Sequence, residues 1–413
     1  MIERPLVAYG AVTASYWSFM LSDGALRMLV LLQFHTMGFS PVELAYLFVL
    51  YEVAGIVTNL SAGWIAARFG LASTLYTGLG LQIAALIALA QLDPDWSITA
   101  SVVFVMAVQG VSGVAKDLAK MSSKSAVKLL APEGEGKLFR WVALLTGSKN
   151  AVKGFGFFLG AGLLGLFGFV PSVLGMAAIL GVILVLIMWK MPAGLPQGRK
   201  SAKFKEVFSK NRDVNWLSFA RMFLFGARDV WFVVGIPVFF YSVLSDGTPD
   251  SKRAAFFMIG AFMAVWTVLY GIVQANAPRL LGGKEAPLPA LVQKLSQFTA
   301  GLIVIPVILA CIILILPQSQ LVVGLVIVGL LVFGALFAIN SSLHSYLILA
   351  FTTGERVTMD VGFYYMANAG GRLLGTLLSG ATYQLGGIAA CLLTAALLIL
   401  LSSVGVWKLG RSR

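Results

Sequence analysis

Cysteine and histidine are nearly missing from this chain, with two of each among 413 residues. Cys311 and Cys391 stand alone inside apolar runs, without a CxxC or a Cys/His cluster, so neither a disulfide framework nor a metal site is indicated. His35 falls at the outer end of its run. His344 lies deeper, where a lone histidine reads as a hydrogen-bonded helix residue rather than a relay. Charge is scarce too, at 11% of residues, and its acidic share is the smaller: 17 Asp and Glu against 30 Lys and Arg. That is less than half the ~25% of an ordinary soluble domain. There is no HExxH helix, no nucleophile elbow and no P-loop, so no enzyme, catalytic residue or cofactor is expected.

What the chain does have is hydrocarbon. Residues are 59% hydrophobic, in repeated runs long enough to cross a ~30 Å apolar layer. Backbone polar groups in lipid must be satisfied within the protein, and uninterrupted runs of this length leave helices as the solution. The expected fold is therefore all-α, a polytopic membrane protein of about twelve spans. They fall at roughly 8 to 34, 42 to 66, 72 to 92, 97 to 129, 139 to 167, 172 to 190, 213 to 243, 252 to 275, 289 to 315, 321 to 350, 358 to 384 and 388 to 407. Ser40-Pro41-Val42-Glu43 reads as a capping box opening the second span. Pro237 and Pro306 fall inside spans, where kinks are tolerated. The opening MIERPLVAYG carries no signal-peptide pattern, so the first span is expected to stay.

Loop cations set the orientation. The stretch from Lys190 to Arg212 holds seven basic residues, and Arg68, Lys137, Arg140, Arg279, Lys284, Arg356, Lys408, Arg411 and Arg413 lie on the same expected side. Positive loops stay inside, which puts both termini and this loop in the cytoplasm of an inner (plasma) membrane protein. The +13 net charge is then explained by topology, and no nucleic-acid partner is called for.

The basic loop divides the chain into 1–190, a linker at 191–212, and 213–413, six spans on each side. Weak internal symmetry crosses it. Lys153 is followed by Gly156 and Gly168, and Arg372 by Gly375 and Gly387, at equal spacings. Ser122-Ser123 and Ser341-Ser342 stand at equal offsets before Ala131 and Ala350. Two parallel repeats are a transporter pattern, and Lys153 and Arg372 become candidate pseudo-twofold mates.

Charges inside the spans are the candidates for function, because a buried ionisable group in a membrane is retained only where it faces a cavity or a partner. The cations are Arg27, Lys116, Lys120, Lys149, Lys153, Arg221, Arg228 and Arg372; the acids are Asp23, Glu52, Asp117 and Asp229. Cations remain in excess even if every acid is paired, so an anion is the expected ligand. Lysines four apart share a helix face, as do Arg221 and Arg228 seven apart. Lys124 and Lys128 continue the lysine series but lie near the cytoplasmic end, where snorkelling to headgroups competes with a cavity role. Asp23 and Arg27, four apart, read either as a structural ion pair or as cavity groups. Glu52 reads as a proton-coupling carboxylate or a partner for a cation, and Asp117 and Asp229 share those two roles. Asn150 and Asn368 add hydrogen bonds to a ligand or lock helices together.

Twelve spans about a basic middle loop resemble the major facilitator superfamily. Gly63-Trp64-Ile65-Ala66-Ala67-Arg68-Phe69-Gly70 resembles that superfamily's loop signature between the second and third helices, except that Ala67 takes the usual aspartate place. At finer scale residues 107–132, 145–164 and 219–241 resemble the matching helices of the ArsJ-type organoarsenical efflux permeases. That resemblance implies alternating-access export of 1-arseno-3-phosphoglycerate, made when a glyceraldehyde-3-phosphate dehydrogenase uses arsenate. The dehydrogenase would be a functional partner without physical contact, and the permease a monomer. A related organic-phosphate exchanger would use the same cations and require a counter-substrate. An arsenite permease would instead cluster thiolates, which the two separated cysteines do not do.

Overall fold

The computed structural model describes residues 4–130, 137–190, 209–281, 287–352 and 357–411. Among these the secondary structure is helical throughout: α1 (Arg4–Thr36), α2 (Pro41–Tyr46), α3 (Val49–Phe69), α4 (Leu71–Leu89), α5 (Ile98–Leu130), α6 (Lys137–Phe167), α7 (Phe169–Lys190), α8 (Arg212–Val230), a π-helical turn (Trp231–Gly235), α9 (Ile236–Leu244), α10 (Pro249–Leu280), α11 (Leu288–Ile315), α12 (Gln320–Phe351) and α13 (Val357–Arg411). Ten stretches among the described residues are long and apolar enough to cross a membrane. The longest, Asp360–Arg411, folds back at Gly386 and Gly387, the latter at φ +61° where a Cβ would be strained. With α2 and α3 taken as one span, and α8 and α9 as another, the described helices form twelve rods at the expected positions.

Local sequence explains the breaks. The α2 start is the expected capping box: the Ser40 hydroxyl accepts from the Glu43 N–H while the Glu43 carboxylate accepts from the Ser40 N–H at 2.8 Å. The loop expected over 63–70 is shorter than the sequence suggests. Helix α3 runs through Phe69, and Gly70, at φ +76°, alone turns the chain into α4. The side chains of Ala67 and Arg68 lie outside the described residues, as do the linker residues 191–208. Pro237 follows the π-helical turn, and the Ser379 hydroxyl on α13 accepts from the Val234 and Gly235 N–H groups at 3.1 and 3.2 Å. A neighbouring helix thus satisfies backbone donors that the irregular turn would leave in lipid.

Two tight helix pairs organise the centre. In the first six rods α1 packs on α6; in the last six α8 packs on α13; across the two groups α6 meets α10 and α3 meets α13. Gly156 lies against the α1 backbone at Leu21, Gly24 and Ala25, and Gly375 against the α8 backbone at Gly226 beside Asp229. Each glycine is three residues past its basic residue, Lys153 or Arg372, so the repeat seen in sequence corresponds to matching close contacts. Gly375→Leu is expected to force α8 from α13 and cost at least ~1–3 kcal/mol, read as a lowered Tm in detergent. An unchanged Tm would mean that the approach carries no packing energy.

The turn between α9 and α10 is tied by Asp246, whose carboxylate accepts from the Thr248 N–H at 2.9 Å and from the Thr248 hydroxyl at 2.7 Å. A further hydrogen bond from Ser251 is the largest cause holding its carboxyl at about 2, below the usual 3.8. A depressed carboxyl favours the fold above its unfolded value and loses that contribution as pH falls towards 2, so this tie is intact at neutral pH.

Candidate functional site

The intramembrane acids and bases converge where α1, α3, α5, α6, α8 and α13 meet. On α1, Asp23 receives Lys153 of α6 at 2.6 Å and the Tyr51 hydroxyl of α3 at 2.6 Å. Glu52, one residue beyond Tyr51, takes Arg372 of α13 at 2.7 Å and Arg27 of α1 at 3.4 Å on a single oxygen. On α8, Asp229 pairs with its neighbour Arg228, and its second oxygen faces the Arg372 Nε at 3.5 Å, outside hydrogen-bond geometry. On α5, Asp117 pairs with Lys120 at 3.3 Å and accepts from the Thr58 hydroxyl. Arg372 thus joins an acid of the first six rods to one of the last six.

Each pair has the same polarity. The side chains of Arg27, Lys120, Lys153, Arg228 and Arg372 keep 11–21% of their surface open, while their carboxylate partners keep 1–2%. The acids are thus more deeply buried than the bases they pair with, and each of these cations is positioned by its carboxylate. Lys116 lacks even that partner: among the described residues no carboxylate lies within ion-pair distance, and its ammonium rests 4.1 Å from the Tyr51 ring centroid. Lys120 is also held by Asn59 at 2.8 Å and lies 5.6 Å from the Tyr365 ring of α13.

Other expected residues separate from this cluster. Arg221 is 5% exposed and is held by Asn368 at 2.9 Å and by the Ser341 hydroxyl at 3.0 Å, with its guanidinium over Phe225 at 3.9 Å. It reads as a strut joining α8, α12 and α13. Arg228 lies 5.0 Å from the same Phe225 ring. Asn150 donates to Gln274 of α10 at 3.2 Å, linking the two groups of rods rather than facing an acid. Lys149 is half-buried one turn from Lys153. Lys124 is on α5, but its side chain and that of Lys128 lie outside the described residues.

Three local readings are corrected. Asp23 and Arg27 do not pair with each other, because Asp23 is taken by Lys153 and Arg27 turns to Glu52. His344 is fully buried, yet neither ring nitrogen has a hydrogen-bond partner among the described residues. Asp360, absent from the sequence inventory of buried acids, is 3% exposed on α13 with one oxygen unpartnered. It stands near the start of its helix. Tyr51, Asn59, Thr58 and Gln274 were also missed, since uncharged polar residues within an apolar run carry little signal. Asn59 alone had one, standing seven residues from Glu52 and so on the same helix face.

The sequence profile of the Major Facilitator Superfamily matches residues 10–348. The chain belongs to the major facilitator superfamily. Solved structures of similar fold include a POT family transporter crystallised with 5-aminolevulinic acid, at 14% identity and TM-score 0.73, covering 96% of this chain and 94% of that one. The nucleoside transporter NupG matches at 15% identity and TM-score 0.68, covering 97% and 98%. No curated protein matches in sequence. Superfamily membership makes the protein a multi-pass membrane transporter of small molecules, with the charge cluster at the junction of its two groups of helices.

Proposed function

We propose that this transporter exports an anionic organoarsenical, 1-arseno-3-phosphoglycerate, and thereby confers arsenate resistance together with a glyceraldehyde-3-phosphate dehydrogenase. The observation that carries the anion is the burial pattern of the cluster, with bases that keep part of their surface exposed and acids that are almost wholly buried. Resemblance of residues 107–132, 145–164 and 219–241 to the ArsJ-type permeases supports the arsenical. Phosphate and arsenate esters offer many acceptor oxygens. Arg27, Arg228 and Arg372 offer planar forks for them, and Lys116, Lys120, Lys149 and Lys153 offer mobile point charges.

The mechanism is alternating access. The halves 1–190 and 213–413, joined by the linker 191–212, rock about the cluster. An incoming oxyanion competes with Glu52 and Asp229 for Arg372, loosens the link between halves, and is released on the far side. With cytoplasmic termini and a negative interior, expelling a trianion gains about 7 kcal/mol at ~100 mV, so proton exchange is not required energetically. Asp23, Glu52, Asp117 and Asp229 then serve as positioning partners. If transport stopped on collapsing the pH gradient with the potential clamped, one of them would be a proton carrier instead.

Everted membrane vesicles supplied with glyceraldehyde 3-phosphate, NAD, arsenate and dehydrogenase test the substrate. Arsenic accumulation that needs both dehydrogenase and permease is the expected result. No accumulation despite inserted permease, with uptake of an organic phosphate only against a counter-substrate, would replace the exporter by an exchanger. Alanine at Lys116, Lys120, Lys149, Lys153 or Arg372 should each impair uptake. Normal activity in all five would remove the anion site itself.

A further inference from the structure

Away from the charge cluster, the start of α11 and the last turn of α13 leave a groove of about 250 Å³ between them. Its walls include Val292, Gln293, Ser296, Trp407 and Gly410, and Arg411 stands at its rim. Trp407 is 48% exposed, and its indole carries two cations: the Arg411 guanidinium at 4.0 Å and the Lys408 ammonium at 5.2 Å from the ring centroid. No carboxylate pairs with either base among the described residues. The groove lies at the ends of two membrane helices, the depth at which tryptophan and basic side chains meet lipid headgroups.

We infer that this groove is a binding site for one anionic phospholipid. The apolar floor between Val292 and Trp407 takes the first part of an acyl chain, and Gln293 and Ser296 face the ester region. Arg411 and Lys408, fixed over the indole, hold the phosphodiester. Unpaired cations at this depth match an anionic headgroup, since each basic residue near the surface adds attraction for anionic lipid. A zwitterionic headgroup places a positive choline beside the same two bases and gains less.

The test uses the full-length protein in detergent, with native mass spectrometry counting retained lipid as phosphatidylglycerol or phosphatidylcholine is titrated in. The protein should retain one phosphatidylglycerol in preference to phosphatidylcholine. The double variant Lys408→Gln/Arg411→Gln is expected to weaken phosphatidylglycerol retention roughly 30-fold while leaving phosphatidylcholine unchanged. Ser296→Trp, which fills the groove without altering charge, should also displace the lipid and keeps the test open if the double variant folds poorly. Equal retention of both lipids, or an unaffected pair of variants, would overturn the site. Competition by glycerol 1-phosphate as effective as that by the lipid would overturn the lipid as occupant. The charge cluster is untouched, so vesicle transport in the same variants separates this site from the substrate site.

Discussion

Replacing Arg372 by alanine is expected to cut transport roughly 100-fold or more, a loss of about 2.7 kcal/mol of coupling to substrate, while leaving the fold nearly intact. Arg372 touches Glu52 at 2.7 Å and faces Asp229 at 3.5 Å, one acid from each group of rods. Without it neither acid is orphaned, because Arg27 still serves Glu52 and Arg228 still serves Asp229. What disappears is the cation able to pass from protein carboxylates to a ligand. Arg372→Lys should recover only part of the activity, since a point charge cannot engage two acids with a planar fork. Vesicle uptake beside a thermal melt checks both halves of the expectation. A large drop in Tm with normal uptake would invert the assignment and make Arg372 structural.

Lys153→Ala is expected to behave oppositely at first sight, losing stability as well as transport. Among the described residues Asp23 has only Lys153 and the Tyr51 hydroxyl, and it is buried, so removing the lysine leaves an ionised carboxylate without its cation. Breaking a buried pair from one side costs about 3–5 kcal/mol, whereas removing both charges is often close to neutral. The double variant Asp23→Asn/Lys153→Met should therefore regain most of the Tm lost by Lys153→Ala. If Lys153 contacts substrate, the double variant stays inactive although folded; if the pair only braces α1 against α6, activity returns with stability. Melting curves and uptake for Asp23→Asn, Lys153→Met and the double variant complete the cycle.

The rods were legible because hydropathy and turn residues act locally. Gly387 ended the eleventh span where its apolar run pauses, and Ser40 to Glu43 announced α2 by a hydrogen-bonding pattern spanning four residues. Lys153 and Arg372 were recognisable as counterparts through their glycines, since a helix forced close to another must leave out a side chain at a fixed offset. The partners of these bases were not legible. Spacing along one helix suggested Asp23 with Arg27, but rotation of α1 against α6 and α3 decides which side chains meet, and that rotation is set by packing between helices. Arg221 looked like a second cavity arginine from its seven-residue spacing to Arg228. Only their partners separate the two: Arg221 is held by Asn368 and Ser341, whereas Arg228 pairs with Asp229.

Acids paired this closely with their bases also shape how far each charge can be felt. A cation with its carboxylate at 2.6 or 2.7 Å presents the field of a dipole, which fades with distance faster than that of a lone charge. Lys116, with no carboxylate at ion-pair distance among the described residues, adds a longer-range field, but on the proposed reading an ion such as chloride, with one charge and no array of oxygens, gains little on arrival. A polyanionic ester reaches several positive ends at once, and its advantage grows with every oxygen that displaces a carboxylate. On the proposed reading, selectivity among anions is decided at contact distance, by the number and arrangement of oxygens.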